Sequence, residues 1–254
     1  MTTPEVEFRG VGKRFTESKQ TVLEGIDLTI ERGEFVSIIG PSGCGKSTLL
    51  KLVAGLSPVT SGEILVDGMT PQAAREVTSF VFQDATLLPW RTVEKNVALA
   101  LELEDRPRDE REATTQRLLD LVGLSHVAKH YPRQLSGGMK MRVSIARALA
   151  TKPRLLLMDE PFAALDEMTR DRMNEELLRL RAEQNWTVLF VTHSVAEAVF
   201  LSTKVVVLAP HPGRISQIID IDLPFPRTTE TRESDAFDEL VSKTSRLLRE
   251  THRV

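Results

Sequence analysis

Phe35-Val36-Ser37-Ile38-Ile39 runs straight into Gly40-Pro41-Ser42-Gly43-Cys44-Gly45-Lys46-Ser47-Thr48. The first five residues are nearly all apolar, as in a strand buried on both faces of a parallel sheet. Gly40 to Ser47 follows the pattern G-x-x-x-x-G-K-[ST], a loop that cradles phosphates. Glycines there let successive backbone N–H groups turn inward, where a side chain would obstruct them. A helix is expected from Lys46 to Leu56, its N-terminus aimed at the same anion. In this setting Lys46 reaches the β- and γ-phosphates of a nucleotide and the Ser47 hydroxyl ligates Mg2+. Pro41, Ser42, Gly43, Cys44, Gly45 and Thr48 complete the cradle. The loop alone is shared by kinases, GTPases and many other ATPases.

Cys44 admits two readings. The first, preferred, makes it a small filler whose backbone N–H does the binding. The second makes it a reactive thiol, because helix N-termini lower thiol pKa.

A second apolar run, Leu155-Leu156-Leu157-Met158, ends in Asp159-Glu160. Carboxylates at the carboxyl end of a central strand lie at the crevice where α/β sheets bind ligands. Asp159 suits Mg2+, mostly through water. Glu160, one residue on, is placed to polarise a water that attacks the γ-phosphate.

At 254 residues the chain holds one sizeable domain, or one domain with an insertion. Its 33 basic and 36 acidic residues give a net charge of −3, which points away from nucleic acid. No apolar run approaches the roughly 18–20 residues of a membrane-spanning helix. The opening Met1–Glu5 carries no basic segment followed by an apolar one, so no secretory signal is expected. Cys44 is the one cysteine, which excludes an internal disulfide and fits a reducing compartment.

Thr21–Ile30, Glu34–Ile39, Gly62–Asp67, Ser79–Phe82, Leu155–Met158, Thr187–Val191 and Val205–Leu208 read as strands. Val93–Leu103, Asp109–Val122, Gly137–Leu149, Glu167–Glu183 and a final Asp235–Leu248 read as helices. Residues 84–150 form a helical insertion in this scheme. Residues 1–83 and 151–254 form the α/β core.

Leu135-Ser136-Gly137-Gly138-Met139 resembles the LSGGQ signature of ATP-binding-cassette (ABC) transporters, and nearly the whole chain is similar to their nucleotide-binding subunits. The physics agrees, since Ser136 and two glycines open a helix toward an anion. The resemblance implies an α/β P-loop NTPase core of RecA-like type, with an N-terminal antiparallel β subdomain and an inserted α-helical subdomain that carries the signature. It implies that Ser136, Gly137 and Gly138 meet ATP bound to a second copy in a homodimer. It further implies that Phe15 stacks on adenine and that Gln83 contacts Mg2+ and the attacking water. It implies as well that Asp166, in Ala164-Leu165-Asp166, crosses the dimer interface and that His193, after Phe190-Val191-Thr192, contacts the γ-phosphate. Met139 and Met141 stand where relatives often carry polar residues.

Asp84-Ala85-Thr86-Leu87-Leu88-Pro89-Trp90 places large apolar residues in a loop, where an uncommitted surface is usually polar. This phrase and the tail Val207–Ile215 resemble importers of nitrate, sulfonates, taurine and related compounds. The resemblance implies an ATP- and Mg2+-dependent ATPase at the cytoplasmic face of the plasma membrane. Its partners are two permease subunits and, indirectly, a solute-binding protein; nucleic acid is not among them. An exporter subunit and a soluble non-transport ATPase of the same family are the alternatives.

Overall fold

Two sheets organise the chain in the computed structural model, which describes residues 3–15 and 20–251; Met1 and Thr2 of the opening stretch lie outside it. The smaller sheet is antiparallel and contains β1 (Val6–Arg14), β2 (Thr21–Ile30) and β4 (Ser61–Val66), with β1 in the middle. The larger contains β3 (Phe35–Ile39), β5 (Thr78–Val81), β6 (Leu155–Asp159), β7 (Thr187–Val191), β8 (Lys204–Ala209) and β9 (Arg214–Asp220). Its order is β5-β6-β7-β3-β8-β9, parallel except for the β8–β9 hairpin.

Every residue of β3, β6 and β7 is buried, as continuous apolar runs in a parallel sheet demand. Side chains alternate between faces. Phe35, Leu156, Met158, Phe190 and Val205 enter the core beneath the helices. Val36, Ile38, Leu155, Leu157 and Val191 enter a second core against the antiparallel sheet.

The helices are α1 (Lys46–Val53), α2 (Val93–Val97), α3 (Leu99–Leu103), α4 (Arg108–Leu121), α5 (Gly137–Leu149), α6 (Glu167–Gln184), α7 (Val195–Leu201), α8 (Thr229–Arg232) and α9 (Asp235–Glu250). Helices α2 to α5 all fall between β5 and β6. No helix among the described residues is long and apolar enough to cross a membrane.

Several expectations shift in detail. The helix expected to Leu56 ends at Val53, because Gly55 turns left-handed at φ +65° against the Pro71–Gln72 backbone. The expected Val93–Leu103 helix is interrupted at Ala98, whose own backbone stays right-handed. Strand β1 was hidden by Gly10 and Gly12, which break its apolar alternation. A Cβ on Gly12 would stand 2.4 Å from Ser61 Oγ of the neighbouring strand. Strand β9, mostly exposed, and the short α7 also lacked a strong apolar period.

Register sets the functional end of the sheet. Ile38 pairs with Val191, and Asp159 pairs with Val191 on the other side of β7. The carboxyl ends of β3, β6 and β7 therefore lie side by side. Gly40, Glu160 and Thr192 leave the sheet from neighbouring positions.

Candidate functional site

The Gly40–Thr48 loop leaves β3 and returns as α1. Its crest, Ser42 and Gly43, is exposed, while Cys44, Gly45 and Lys46 are buried. Gly43 has φ +79° and open space where a Cβ would stand. Gly45, at φ +101°, caps α1 with the Leu23 side chain 2.7 Å from its hypothetical Cβ. Lys46 Nζ donates to the carbonyls of Gly40 (2.9 Å) and Pro41 (3.0 Å). The ammonium is thus held over the loop by two neutral acceptors, and among the described residues no carboxylate forms an ion pair with it. An open glycine turn at a helix N-terminus, with an ammonium poised over it, fits a polyphosphate.

Cys44 is only 1% exposed. Burial pushes its thiol up, more strongly than Lys46 pulls it down. Access and ionisation both favour the filler reading of the side chain over the reactive-thiol one, while the Cys44 N–H donates to Pro41 O at 3.3 Å within the loop.

Across the crevice, the Ser47 hydroxyl donates to Asp159 Oδ1 at 2.9 Å. Asp159 is buried, and desolvation pushes its carboxyl up while the Ser47 hydrogen bond pulls it down. A hydroxyl and a carboxylate side by side are the hard oxygen donors that Mg2+ takes. Glu160 takes a left-handed backbone conformation at φ +46°, and its N–H donates to Val191 O at 2.9 Å. That conformation costs a non-glycine residue about 1–2 kcal/mol. It turns the side chain toward β7's exit, where Glu160 Oε2 stands 3.4 Å from His193 Nδ1. The His193 ring remains 61% exposed.

The other expected residues stand elsewhere. Ser136 caps α5, accepting the Met139 N–H at 3.2 Å. Among the described residues no hydrogen bond or ion pair joins this turn to the phosphate loop. Helix α5 packs on α2, α4 and β5, and β5 lies three strands from β3, about 14 Å across the sheet. Gly137 faces open space, but a Cβ on Gly138 would strike Leu165 at 2.7 Å. The turn thus sits against the Ala164–Asp166 segment of its own chain. Asp166 is exposed and caps α6, accepting the Thr169 N–H at 2.9 Å. Gln83 is exposed just after β5. Phe15 is 43% exposed at the end of β1, with Lys13 Nζ 5.0 Å from its ring centroid. Met139 packs against the core and Met141 is buried in it, so these apolar replacements serve packing.

Sequence reasoning missed the support behind His193. Thr192 and Glu197 are buried, and the Thr192 hydroxyl donates to Glu197. The pattern Ser194-x-x-Glu197 is a helix-start signal that pointed to this place. Gly213 was also missed. A Cβ there would stand 2.1 Å from Cys44 O, inside the loop's own backbone.

A family profile described as ABC transporter matches residues 23–163. The chain is 42% identical over 240 residues to the aliphatic sulfonates import ATP-binding protein SsuB of Bacillus cereus, covering 94% of this chain and 93% of that protein. It is 50% identical over 208 residues to the nitrate import ATP-binding protein NrtC of Synechococcus elongatus. That match covers 81% of this chain but 32% of the relative, so the chain spans about a third of its length. Among solved structures, it resembles a dimeric ATP-binding cassette in a post-hydrolysis state bound to ADP and Pi. The TM-score is 0.79 at 33% identity, with 86% of this chain and all of that one covered.

Proposed function

This chain belongs to the ABC transporter family, and from that premise we propose that it is the ATPase subunit of an importer for small solutes of the nitrate, sulfonate or taurine kind. The observation that carries the reading is the crevice at the ends of β3, β6 and β7. There Ser47 meets Asp159 at 2.9 Å and Glu160 stands 3.4 Å from His193. Phosphate-holding, metal-holding and water-orienting groups are thereby gathered on one side of one sheet.

In this reading Lys46 and the backbone N–H groups of Ser42–Thr48 hold the triphosphate, and Phe15 offers its exposed ring to adenine. Ser47, Asp159 and Gln83 hold Mg2+, which when bound offsets phosphate charge as the γ-phosphoryl group leaves. Glu160 polarises the attacking water, and His193 donates to the γ-phosphate.

The second half of the site comes from another copy. Ser136, Gly137 and Gly138 stand beyond β5, and a head-to-tail homodimer brings them over the partner's ATP with Asp166 at the interface. The dimeric state of the solved relative supports this arrangement. Each charge-assisted hydrogen bond to the γ-phosphate contributes about 1.5–3 kcal/mol. Three together reach the roughly 5.5 kcal/mol needed to switch a two-state equilibrium nearly completely.

Residues 84–150 act as a helical subdomain whose exposed Trp90, carried on the loop with Leu87 and Leu88, faces the permease. The ATPase then sits at the cytoplasmic face of the plasma membrane beneath two permease subunits, with a solute-binding protein on the far side. The names of the SsuB and NrtC relatives support import and the solute class.

The test is Glu160→Gln. The variant should bind ATP with Mg2+ and form a lasting dimer in light scattering. A variant that is saturated with ATP yet monomeric overturns the reading.

A further inference from the structure

Two charged residues that the reading above leaves unused line one narrow crevice behind the site, with Glu160, Ala163 and His193 beside them; no direct ion pair joins Arg170 to Glu197 among the described residues. Arg170 lies in the first turns of α6, and it faces backward. Its Nη2 donates to Leu165 O at 3.0 Å and its Nε to Phe162 O at 3.4 Å. It therefore grips the segment between Glu160 and Asp166 by two backbone carbonyls. A guanidinium spends its planar fork well on such a pair of acceptors, and a lysine would not replace it.

Glu197 lies in the first turn of α7 and is 5% exposed. Its Oε2 accepts from the Thr192 hydroxyl, while its Oε1 is buried without a hydrogen bond. The Thr192 oxygen also accepts the Ser194 N–H at 3.0 Å, and Ser194 Oγ accepts the Glu197 N–H at 3.3 Å. Both residues flanking His193 are thus tied to Glu197. Burying a carboxylate with one orphaned oxygen is costly. A simple helix cap needs no such group, since Ser194 alone supplies it. Burial pushes the Glu197 carboxyl up, and the Thr192 hydroxyl, the Arg170 charge and the buried Asn174 of α6 pull it back only in part.

We propose that Arg170 and Glu197 are a pair of positioning residues, coupling the Phe162–Asp166 segment to the loop that holds His193. The inference rests on the proposed homodimer, in which Asp166 lies at the interface. When the partner docks, a shift of the Phe162–Asp166 carbonyls moves Arg170. The Arg170 charge then acts on Glu197 across the crevice that both line, and Glu197 sets Thr192 and Ser194 on either side of His193. Hydrolysis then waits on closure of the dimer, because His193 is held in its working place only when the partner presses on this segment.

The pair is tested on the full chain by steady-state ATP hydrolysis with Mg2+, using Arg170→Gln, Glu197→Gln and the double variant. Glu197→Gln keeps an acceptor for Thr192 and removes the charge. Each single change should lower kcat at least ten-fold and leave KM for ATP within three-fold, since the phosphate loop is untouched. The double variant should be no more than three-fold below the worse single one. Thr192→Val should lose kcat as Glu197→Gln does, and Thr192→Ser, which keeps the hydroxyl, should restore it. Effects that multiply in the double variant, a rise in KM with kcat kept, or a fully active Thr192→Val would overturn the coupling. The parent reading fails differently, as wild-type hydrolysis that survives Glu160→Gln.

Discussion

Ser47 at the start of α1 and Asp159 at the end of β6, 112 residues apart, share a hydrogen bond of 2.9 Å. The contact exists because β3 and β6 flank β7 and end at the same level. It holds a carboxylate that burial has pushed toward its neutral form.

Asp159→Asn should therefore trade function for stability. A carboxyl whose folded pKa is raised stabilises the fold most below its unfolded pKa, and that contribution is lost as pH rises through the folded value. At pH 7 the wild type bears the full cost of the buried charge, and asparagine, which still accepts from Ser47, relieves it. Without nucleotide the variant should melt higher, by about 2–4 °C for each kcal/mol relieved. The gap should close as pH falls toward 4. Its ATPase should need at least ten-fold more Mg2+ for half-maximal rate. A variant that melts lower than wild type at pH 7 would refute the argument.

How much of this was legible in the chain depends on sequence distance. Gly40–Ser47 and Asp159-Glu160 announce themselves because each is a local phrase at the end of an apolar run. The Glu160–His193 approach needed the strand order, although both ends had been marked. Arg170 gave no signal, and Glu197 only that of a helix start, because the two come to line one crevice only when α6 and α7 fold onto the sheet. Strand β1 was lost at Gly10 and Gly12, where close packing on β4 replaces apolar alternation.

Gly213 should prove to be part of the phosphate loop's foundation. Its N–H donates to Val22 O at 2.8 Å, its carbonyl accepts from Glu24 N–H at 3.0 Å, and Cys44 O occupies the space of a Cβ. Gly213→Ala must move backbone, not a flexible side chain. It should destabilise by about 1–3 kcal/mol and weaken ATP binding at least ten-fold. Gly25→Ala is the control, because Gly25 has φ +59° and open space around its Cβ position. It should cost about 1–2 kcal/mol without changing affinity. Equal ATP affinity in both variants, read by a fluorescent nucleotide titration, would remove Gly213 from this role.

Cys44 should be chemically quiet. The thiol is buried and pushed up in pKa, so neither encounter nor ionisation favours attack. A thiol reagent at pH 7–8 should label the native chain at least about 100-fold more slowly than the denaturant-unfolded chain, with or without ATP. Rapid native labelling that ATP slows would show that the loop opens far enough to expose it.

Trp90 should matter to a partner and not to the chemistry. Its side chain is 72% exposed, whereas Leu87 packs against the core and Leu88 is half-buried. The loop carrying them is pinned by Asn96, which accepts the Leu88 N–H at 2.8 Å and donates to the carbonyls of Leu88, Arg91 and Thr92. A rigid loop that leaves a tryptophan in water has the form of an interface anchor, for which truncation typically costs 2 kcal/mol or more, roughly 30-fold in affinity. Trp90→Ala should leave the melting temperature and the ATPase rate of the isolated subunit unchanged. It should sharply reduce the amount of permease that co-purifies with the chain. Leu87→Ala, by contrast, should lower the melting temperature, since Leu87 contributes to the core. Undiminished permease recovery with Trp90→Ala would place the docking surface elsewhere on the helical layer.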